Sequence, residues 1–189
     1  MTTPKIELKN FLGRKFRMKI DFNEFVIRKC TKKDLSEILK LQEETLERLS
    51  DSDILRKNTV EMFEECLRHP NITLGAWYGD ELAAISVLYY VSCEAEDLKM
   101  LLQNVDCAEK KSANYKLCIV RDKYRGNSLQ YKMGMMLIKA AVEDGVEILC
   151  STASPKNPYS INNILRLGFS YNRTLQKYGM ERNLYYNIL

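Results

Sequence analysis

A strand–helix–strand pattern between residues 115 and 153 constrains the fold of this chain more than any other feature. The apolar stretch 115–120 predicts a short buried strand, and apolar spacing predicts a helix over 127–144 that stops at Gly145. A second strand follows over 146–153. A crossover through a single helix is right-handed and makes its two strands parallel. The pattern therefore predicts a β-α-β unit whose helix begins just after a glycine turn.

The remaining elements place this unit in a mixed sheet with helices on both faces, an α/β (α+β) fold. Leu35, Ile38, Leu39, Leu46 and Leu49 fall on one face of the first predicted helix. The other predicted elements are a strand over 24–30, helices over 31–50 and 58–69, a hairpin turning at Gly79-Asp80, a helix from Asn157 to Gly168, and a last strand pair turning at Tyr178-Gly179. The boundaries predict a basic extension over 1–22 and a single domain over 23–189.

Composition narrows the class of protein. The 189 residues are 46% hydrophobic and 29% charged, which suits one soluble domain. No apolar run reaches the ~18 residues that span a bilayer, so we expect a cytoplasmic protein without a membrane partner. The six cysteines form no C-x-x-C pair and lie mostly in apolar stretches, which favours buried reduced thiols. The lone histidine, His69, precedes a proline at a helix end, which disfavours triad chemistry and a zinc site.

Positive charge is concentrated at the N-terminus. Residues 1–20 hold six basic residues and one acid, a net charge of +5, whereas the whole chain carries +4. Such an arm could touch nucleic acid or an anionic surface. No aromatic-plus-basic array supports RNA recognition, so we expect a solvated leader or edge strand and no nucleic-acid partner.

The turn between the first strand and the helix of the β-α-β unit has the parts of an anion site. A helix that starts just after a strand presents unpaired N–H groups and a positive dipole end. Gly126 lets the backbone approach a ligand, and Arg125 adds positive charge. Many turns of this kind bind nothing, so the turn alone leaves a phosphate cradle and a plain helix start both open.

Motifs around this turn resemble the GNAT superfamily of acyl-CoA-dependent N-acetyltransferases from residue 24 to the end of the chain. The family pattern Q/R-x-x-G-x-G/A aligns with residues 125–130, where Ser128 and Gln130 replace the two small positions. The strings SPKNPYSINNILRLGF and QKYGMERNLY resemble a bacterial subgroup with Arg-Gly-Asn-Gly-Leu-Gln, Asn-Pro-Tyr-Ser and Lys-Tyr-Gly-Gly motifs.

The resemblance implies a fold in which the parallel strands splay and the pantetheine arm of acetyl-CoA enters the gap. Its pyrophosphate would lie on the N–H groups of 126–130, and a backbone N–H near Cys118 or Ile119 would polarise the thioester carbonyl. The implied cofactor-binding residues are Leu117, Cys118, Ile119, Val120, Arg125, Gly126, Asn127, Ser128, Leu129, Gln130, Asn157 and Ser160. Asn157 would cap its helix through its oxygen and contact pantetheine through its nitrogen.

The resemblance also implies direct transfer to a primary amine, with a small molecule expected ahead of a protein acceptor and no metal. Many family members place a tyrosine acid where this chain has Ile164, so Tyr178 becomes the candidate acid and Tyr159 a second one. For the base, a water chain is an option, and an aryl amine would need no strong base. Acids on the predicted acceptor side could attract a cationic amine or form a solvated face: Glu43, Glu44, Asp51 and Asp53.

Three other functions stay open at this point. A non-catalytic acyl-CoA sensor or interaction module on the same fold would explain Ser128, Gln130 and Ile164. A different nucleotide binder could use the Gly126 turn alone, and a nucleic-acid protein could use the basic arm. The exposed last strand is compatible with a homodimer.

Overall fold

The computed structural model describes residues 17–92 and 94–189, which form one seven-stranded mixed sheet with helices against it. The strands are β1 Val26–Lys29, β2 Ile72–Tyr78, β3 Glu81–Tyr90, β4 Ser112–Val120, β5 Ile148–Ala153, β6 Ser170–Lys177 and β7 Met180–Ile188. The helices are α1 Leu35–Leu46, α2 Val60–Cys66, α3 Leu129–Glu143 and α4 Pro158–Arg166. The strand order is β1-β2-β3-β4-β5-β7-β6, in which only β4 and β5 pair in parallel. The predicted α/β class and the β-α-β unit are confirmed.

Helices cover both faces of the sheet, and the central strand β3 shows this directly. Eight of its ten residues are buried, which is typical of a strand covered on both sides. Leu88 packs in the cluster that contains Met133 of α3, whereas Ile85 packs in the cluster that contains Ile38 of α1. Because neighbouring positions of a strand point to opposite faces, α1 and α3 lie on opposite sides of the sheet.

The predicted first and third helices begin later than the sequence indicated. Thr31 and Asp34 form the predicted capping box, but on a 3₁₀ turn that leads into α1. The buried face of α1 includes Ile38 and Leu41, whereas the predicted Leu46 and Leu49 are only half-buried. Helix α3 starts at Leu129 rather than at 127, because the left-handed backbone of the preceding turn cannot continue a helix.

The described end of the predicted extension packs on the domain. The Met18 N–H donates to the Lys123 carbonyl at 2.8 Å, and the Ile20 N–H donates to Asn127 Oδ1 at 3.1 Å. Met18 and Ile20 also pack against the α3 cluster. Residues 1–16, which carry most of the predicted basic arm, lie outside the described ranges.

Cys30, Cys66, Cys107, Cys118 and Cys150 are free thiols, whereas Cys93 lies outside the described residues. Across the described ranges, no helix is both long and apolar enough to cross a membrane. The same residues contain no group of three or more histidine, cysteine or acidic side chains arranged to hold a metal ion.

Candidate acyl-CoA and acceptor site

A gap opens between β4 and β5, the only parallel pair among the strands of residues 17–92 and 94–189. The two strands pair over three residues, from Ser112 opposite Ile148 to Asn114 opposite Cys150. One more link follows, in which the Ser151 hydroxyl donates to the Tyr115 carbonyl at 2.8 Å. Both strands then continue without pairing to each other, although β4 stays paired to β3 on its other side. The expected splay of the parallel pair is present.

The pairing with β3 decides which backbone groups of β4 face the gap. The Arg121 N–H donates to the Ala83 carbonyl of β3 at 2.8 Å. Because successive residues of a strand direct their polar groups to opposite sides, the backbone groups of Val120 and Cys118 face away from β3. The Val120 carbonyl accordingly accepts from Arg125 Nε at 3.4 Å. The Cys118 N–H is therefore the open donor in the middle of the gap, rather than that of Ile119.

The gap leads into a cavity of about 380 Å³ that gathers most of the predicted site residues. Eight of them line it: Leu117, Cys118, Ile119, Val120, Arg125, Asn157, Ser160 and Tyr178. The loop before α2 closes the cavity opposite β4 with Ile54, Leu55 and Arg56. The cavity thus joins the splayed strands to the segment between α1 and α2.

The other five predicted cofactor residues form the turn and the start of α3 next to Arg125. Gly126 has φ +90° and Ser128 has φ +58°, and a Cβ built on Gly126 would meet no protein atom within 4 Å. Ser128 makes no side-chain capping hydrogen bond, and the first bond of the helix runs from the Lys132 N–H to the Ser128 carbonyl. The N–H groups of 129–131 therefore point out of the helix end unpaired within the helix.

Two of the five residues can offer a ligand only their backbone. Asn127 uses its amide to hold the N-terminal segment, with Nδ2 donating to the Met18 carbonyl at 2.8 Å and to the Tyr124 carbonyl at 3.0 Å. Leu129 is 2% exposed and packs in the core beneath α3. Gly126 and Ser128 are exposed and Gln130 is half-buried.

Asn157 caps α4 as the sequence predicted. Its Oδ1 accepts from the Ser160 N–H at 3.1 Å, and Pro158 occupies the first helical position. Within the described residues its Nδ2 makes no hydrogen bond, and both Asn157 and Ser160 line the cavity. The helix start therefore brings one free amide donor to the wall of the gap.

Tyr178 lies at the turn of the last hairpin and lines the cavity. It has φ +61°, and the guanidinium carbon of Arg56 lies 4.1 Å from the centre of its ring. Tyr178 is 45% exposed, and desolvation of the part that lies in the cavity raises its pKa above the usual value of 10, partly offset by the nearby positive charge of Arg56. The phenol is therefore protonated at neutral pH and can donate a proton.

The other candidate acid lies outside the cavity. Tyr159 is 71% exposed and does not line it, whereas Ile164, at the position of the usual family tyrosine, is 2% exposed and packs in the core with Met133. Burial also raises the pKa of the Cys118 thiol to about 12, which keeps the thiol neutral and argues against a nucleophilic role.

Two residues that sequence reasoning did not place in the site line the cavity as well. Asn114 is 4% exposed, its Nδ2 donates to the Glu96 carbonyl at 2.9 Å, and its Oδ1 has no hydrogen-bond partner. Glu96 comes from the segment between β3 and β4, and it is the one carboxylate among the residues that line the cavity. The sequence placed the polar segment 92–113 on the acceptor side, but its partial helical spacing did not single out Glu96 from the other acids of that segment.

The acids expected to attract a cationic amine do not reach the cavity. Glu44 pairs with Arg121, and Glu43 lies 2.8 Å from Lys57. Asp51 and Asp53 both pair with Lys156, at 2.8 Å and 3.2 Å. Of the two roles open to these acids in the sequence, the ion pairs disfavour an attractor of the amine, because the four carboxylates are committed to basic partners outside the cavity lining.

The fold and the splayed site define a class of proteins, the GNAT acetyltransferase fold. No protein-family model and no curated protein matches the sequence. Many solved structures share the fold. A GNAT-family acetyltransferase from Listeria monocytogenes superposes with a TM-score of 0.65 at 21% identity, covering 87% of this chain and 95% of that one.

Two further solved structures show the same likeness. A ribosomal-protein-alanine N-acetyltransferase from Brucella melitensis has a TM-score of 0.65 at 20% identity, with coverage of 87% and 99%. The yncA protein from Salmonella typhimurium, whose structure contains its cofactor acetyl-CoA, has a TM-score of 0.66 at 15% identity, with coverage of 88% and 95%. These identities establish the shared fold.

Proposed function

We propose that this protein is an N-acetyltransferase that moves an acetyl group from acetyl-CoA directly to a primary amine of a small molecule. The observation that carries the proposal is the parallel strand pair that opens beside an uncapped helix start. An unpaired strand edge suits the amides of pantetheine, and open N–H groups at a helix start suit a pyrophosphate. Acetyl-CoA carries both groups, and a protein with this fold contains acetyl-CoA as its cofactor.

The site residues divide between binding and chemistry in this proposal. The N–H groups of 126–130 and the Arg125 guanidinium hold the pyrophosphate. The strand edge 117–120, with the Asn157 amide and the Ser160 side chain opposite, holds the pantetheine arm. The Cys118 N–H donates to the thioester carbonyl oxygen, where negative charge grows as the amine attacks.

The transfer needs one base and one acid. An aliphatic amine has a pKa near ~10 and must lose a proton to attack. Glu96, the carboxylate of the cavity lining, accepts that proton directly or through water. The amine nitrogen bonds to the acetyl carbon, the C–S bond breaks, and the thiolate takes a proton from the Tyr178 hydroxyl. The products are the acetamide and free CoA, with no covalent intermediate on the protein.

The test is amine-dependent release of CoA thiol from acetyl-CoA, with mass spectrometry of the acceptor. We expect thiol release above the rate of acetyl-CoA hydrolysis alone, matched mole for mole by acetylated amine. Binding of acetyl-CoA without transfer to any acceptor in a broad amine panel would contradict the proposal. That outcome would favour the second candidate, an acyl-CoA-binding sensor or interaction module. The replacement of the two small residues of the family turn by Ser128 and Gln130 supports this candidate.

A further inference from the structure

The cavity contains a buried arginine without a counter-ion. Arg182 of β7 is 5% exposed and lines the cavity. Its guanidinium donates to the Glu181 carbonyl at 2.9 Å and lies 3.2 Å from the Met180 sulfur. Within the described residues no carboxylate lies within 4 Å of it, and Asp53, whose charge reaches it, is itself paired with Lys156. A buried charge without a partner is costly, which points to a ligand that supplies the missing anion.

Most of the other charged residues that line the cavity have the same sign as Arg182. Arg56, Lys116 and Lys177 line it and lie against aromatic rings, and none of them pairs with a carboxylate within the described ranges. Glu96 is the one acid of the lining. The acceptor end is therefore strongly basic, which suits an anionic group.

The N–H groups proposed to bind the phosphates of acetyl-CoA lie apart from Arg182, because residues 126–130 are not among the residues that line the cavity. These groups lie at the start of α3, whose side chains pack in the same cluster as Tyr185. Arg182 shares its strand face with Leu184, which packs in a different cluster, and that face is opposite to the face of Tyr185. Arg182 therefore lies on the sheet face opposite to the start of α3, and the gap between β4 and β5, where Arg125 also lines the cavity, connects the two faces.

An unpartnered acceptor lies on the same cavity wall. The Oδ1 atom of Asn114 is buried and has no hydrogen-bond partner in the described part of the chain, and Asn114 Nδ2 donates to the backbone carbonyl of Glu96. A primary amine or ammonium would satisfy that oxygen and lie within the range of the Glu96 carboxylate.

We propose that the acceptor is a small amine that also carries an anionic group, a carboxylate or sulfonate, held by Arg182 and Arg56 while its amino group lies at Asn114 and Glu96. This inference rests on the proposed function and narrows its substrate class. The anion-binding arginines are specificity residues, so their loss should raise KM for anionic acceptors more than it lowers kcat.

The test compares matched acceptors that differ only in the anionic group: β-alanine and taurine against ethylamine, and leucine against isoamylamine. We expect kcat/KM for the anionic member of each pair to be roughly tenfold to hundredfold higher, as charged hydrogen bonds allow. Comparing kcat/KM for β-alanine with that for taurine then shows whether the site prefers a carboxylate or a sulfonate. A neutral partner used equally well or better would overturn the inference.

The variants R182Q and R56Q should reduce that preference, measured as the ratio of kcat/KM within each matched pair, to within a fewfold, and R182K should restore part of it. Any loss of turnover from the Arg56–Tyr178 contact affects both members of a pair and cancels in the ratio. R68Q, which changes an exposed arginine paired with Glu65, is the matched control and should keep the full preference. Because R182Q removes a buried side chain and could fail to fold, R56Q decides the question in that case. An unchanged preference in the folded variants would contradict the assignment.

The failure of this inference is distinguishable from failure of the proposed function. Stabilisation by acetyl-CoA with turnover of neutral amines only overturns the anionic acceptor and leaves the proposed N-acetyltransferase activity intact. Stabilisation by acetyl-CoA without turnover of any amine contradicts the proposed activity itself. Absence of both stabilisation and turnover would instead remove the acyl-CoA site itself.

Discussion

The guanidinium carbon of Arg56 lies 4.1 Å from the centre of the Tyr178 ring. This contact joins the loop before α2 to the last hairpin across the mouth of the cavity. It fixes the position of a phenol whose pKa burial raises, so the candidate acid is both positioned and protonated.

Tyr178→Phe removes the hydroxyl and keeps the ring under Arg56. We expect kcat to fall by about 10²-fold, because the thiolate loses its proton donor, while the KM for acetyl-CoA changes little. Steady-state kinetics of thiol release measure both constants. Tyr159→Phe, the same change at a side chain that is 71% exposed, is the control and should leave kcat unaltered. A normal kcat in Tyr178→Phe would exclude the phenol as the acid.

Glu96→Gln tests the proposed base. We expect kcat/KM for an aliphatic amine to fall by about 10²-fold at neutral pH, with the deficit shrinking as the pH is raised and the free amine becomes abundant. A pH–rate profile of both proteins measures this. Glu94→Gln removes a charge two residues away in the same turn, at a side chain outside this cavity, and should behave like the unaltered protein. Equal deficits in the two variants would show that only local charge matters.

Gly126→Ala separates backbone strain from ligand contact. Its φ of +90° should cost alanine about 1 kcal/mol of folding stability, and the new methyl group would occupy space beside the open helix start. We expect a lower melting temperature and a smaller further rise on adding acetyl-CoA.

Gly145→Ala is the matched control for this change, because Gly145 has φ +72° and equally open surroundings at the far end of α3. It should lose similar stability and keep the full acetyl-CoA shift. Equal shifts in both variants would count against a phosphate site at the turn.

Asn157→Asp divides the two roles of Asn157. Aspartate keeps the capping oxygen at a helix start where negative charge is favourable, so thermal stability should be preserved. The lost amide donor and the added charge should raise the KM for acetyl-CoA by roughly tenfold. Asn157→Ala should lose about 1 kcal/mol of stability as well. An unchanged KM in the aspartate variant would limit Asn157 to capping.

The local parts of this site could be predicted from the sequence, and the parts built by distant segments could not. Short local sequences determine three of these parts: the turn at Gly126, the cap at Asn157 and the hairpin at Tyr178. Glycine, asparagine and proline have strong conformational preferences, so such parts are predictable from neighbouring residues. Glu96, Asn114 and Arg182 come from separate segments, and only tertiary packing brings them to one cavity. The sequence placed the segment 92–113 and the last hairpin on the acceptor side, but it did not identify which of their side chains line the cavity.

The sequence could not decide between the two roles of the acids near the predicted acceptor side for a related reason. The sequence does not show whether an acid in this region is free to attract a ligand. Glu44 and Asp53 each form an ion pair with a basic residue more than 70 residues away along the chain. Arg182, by contrast, lies in a segment whose sequence predicts only a strand. The structure is needed to show that no carboxylate of the described residues pairs with it.

The most direct test of the acyl-CoA site is the melting temperature of the protein with acetyl-CoA, with CoA and with ADP. Each ligand would be added at increasing concentration under identical conditions. At ~100 times its dissociation constant, a ligand stabilises the folded state by about 2.7 kcal/mol. We predict clear increases with acetyl-CoA and CoA that exceed the increase with ADP, because only the first two fill the gap between β4 and β5. No increase with any of the three, or an equal increase with ADP, would contradict the account.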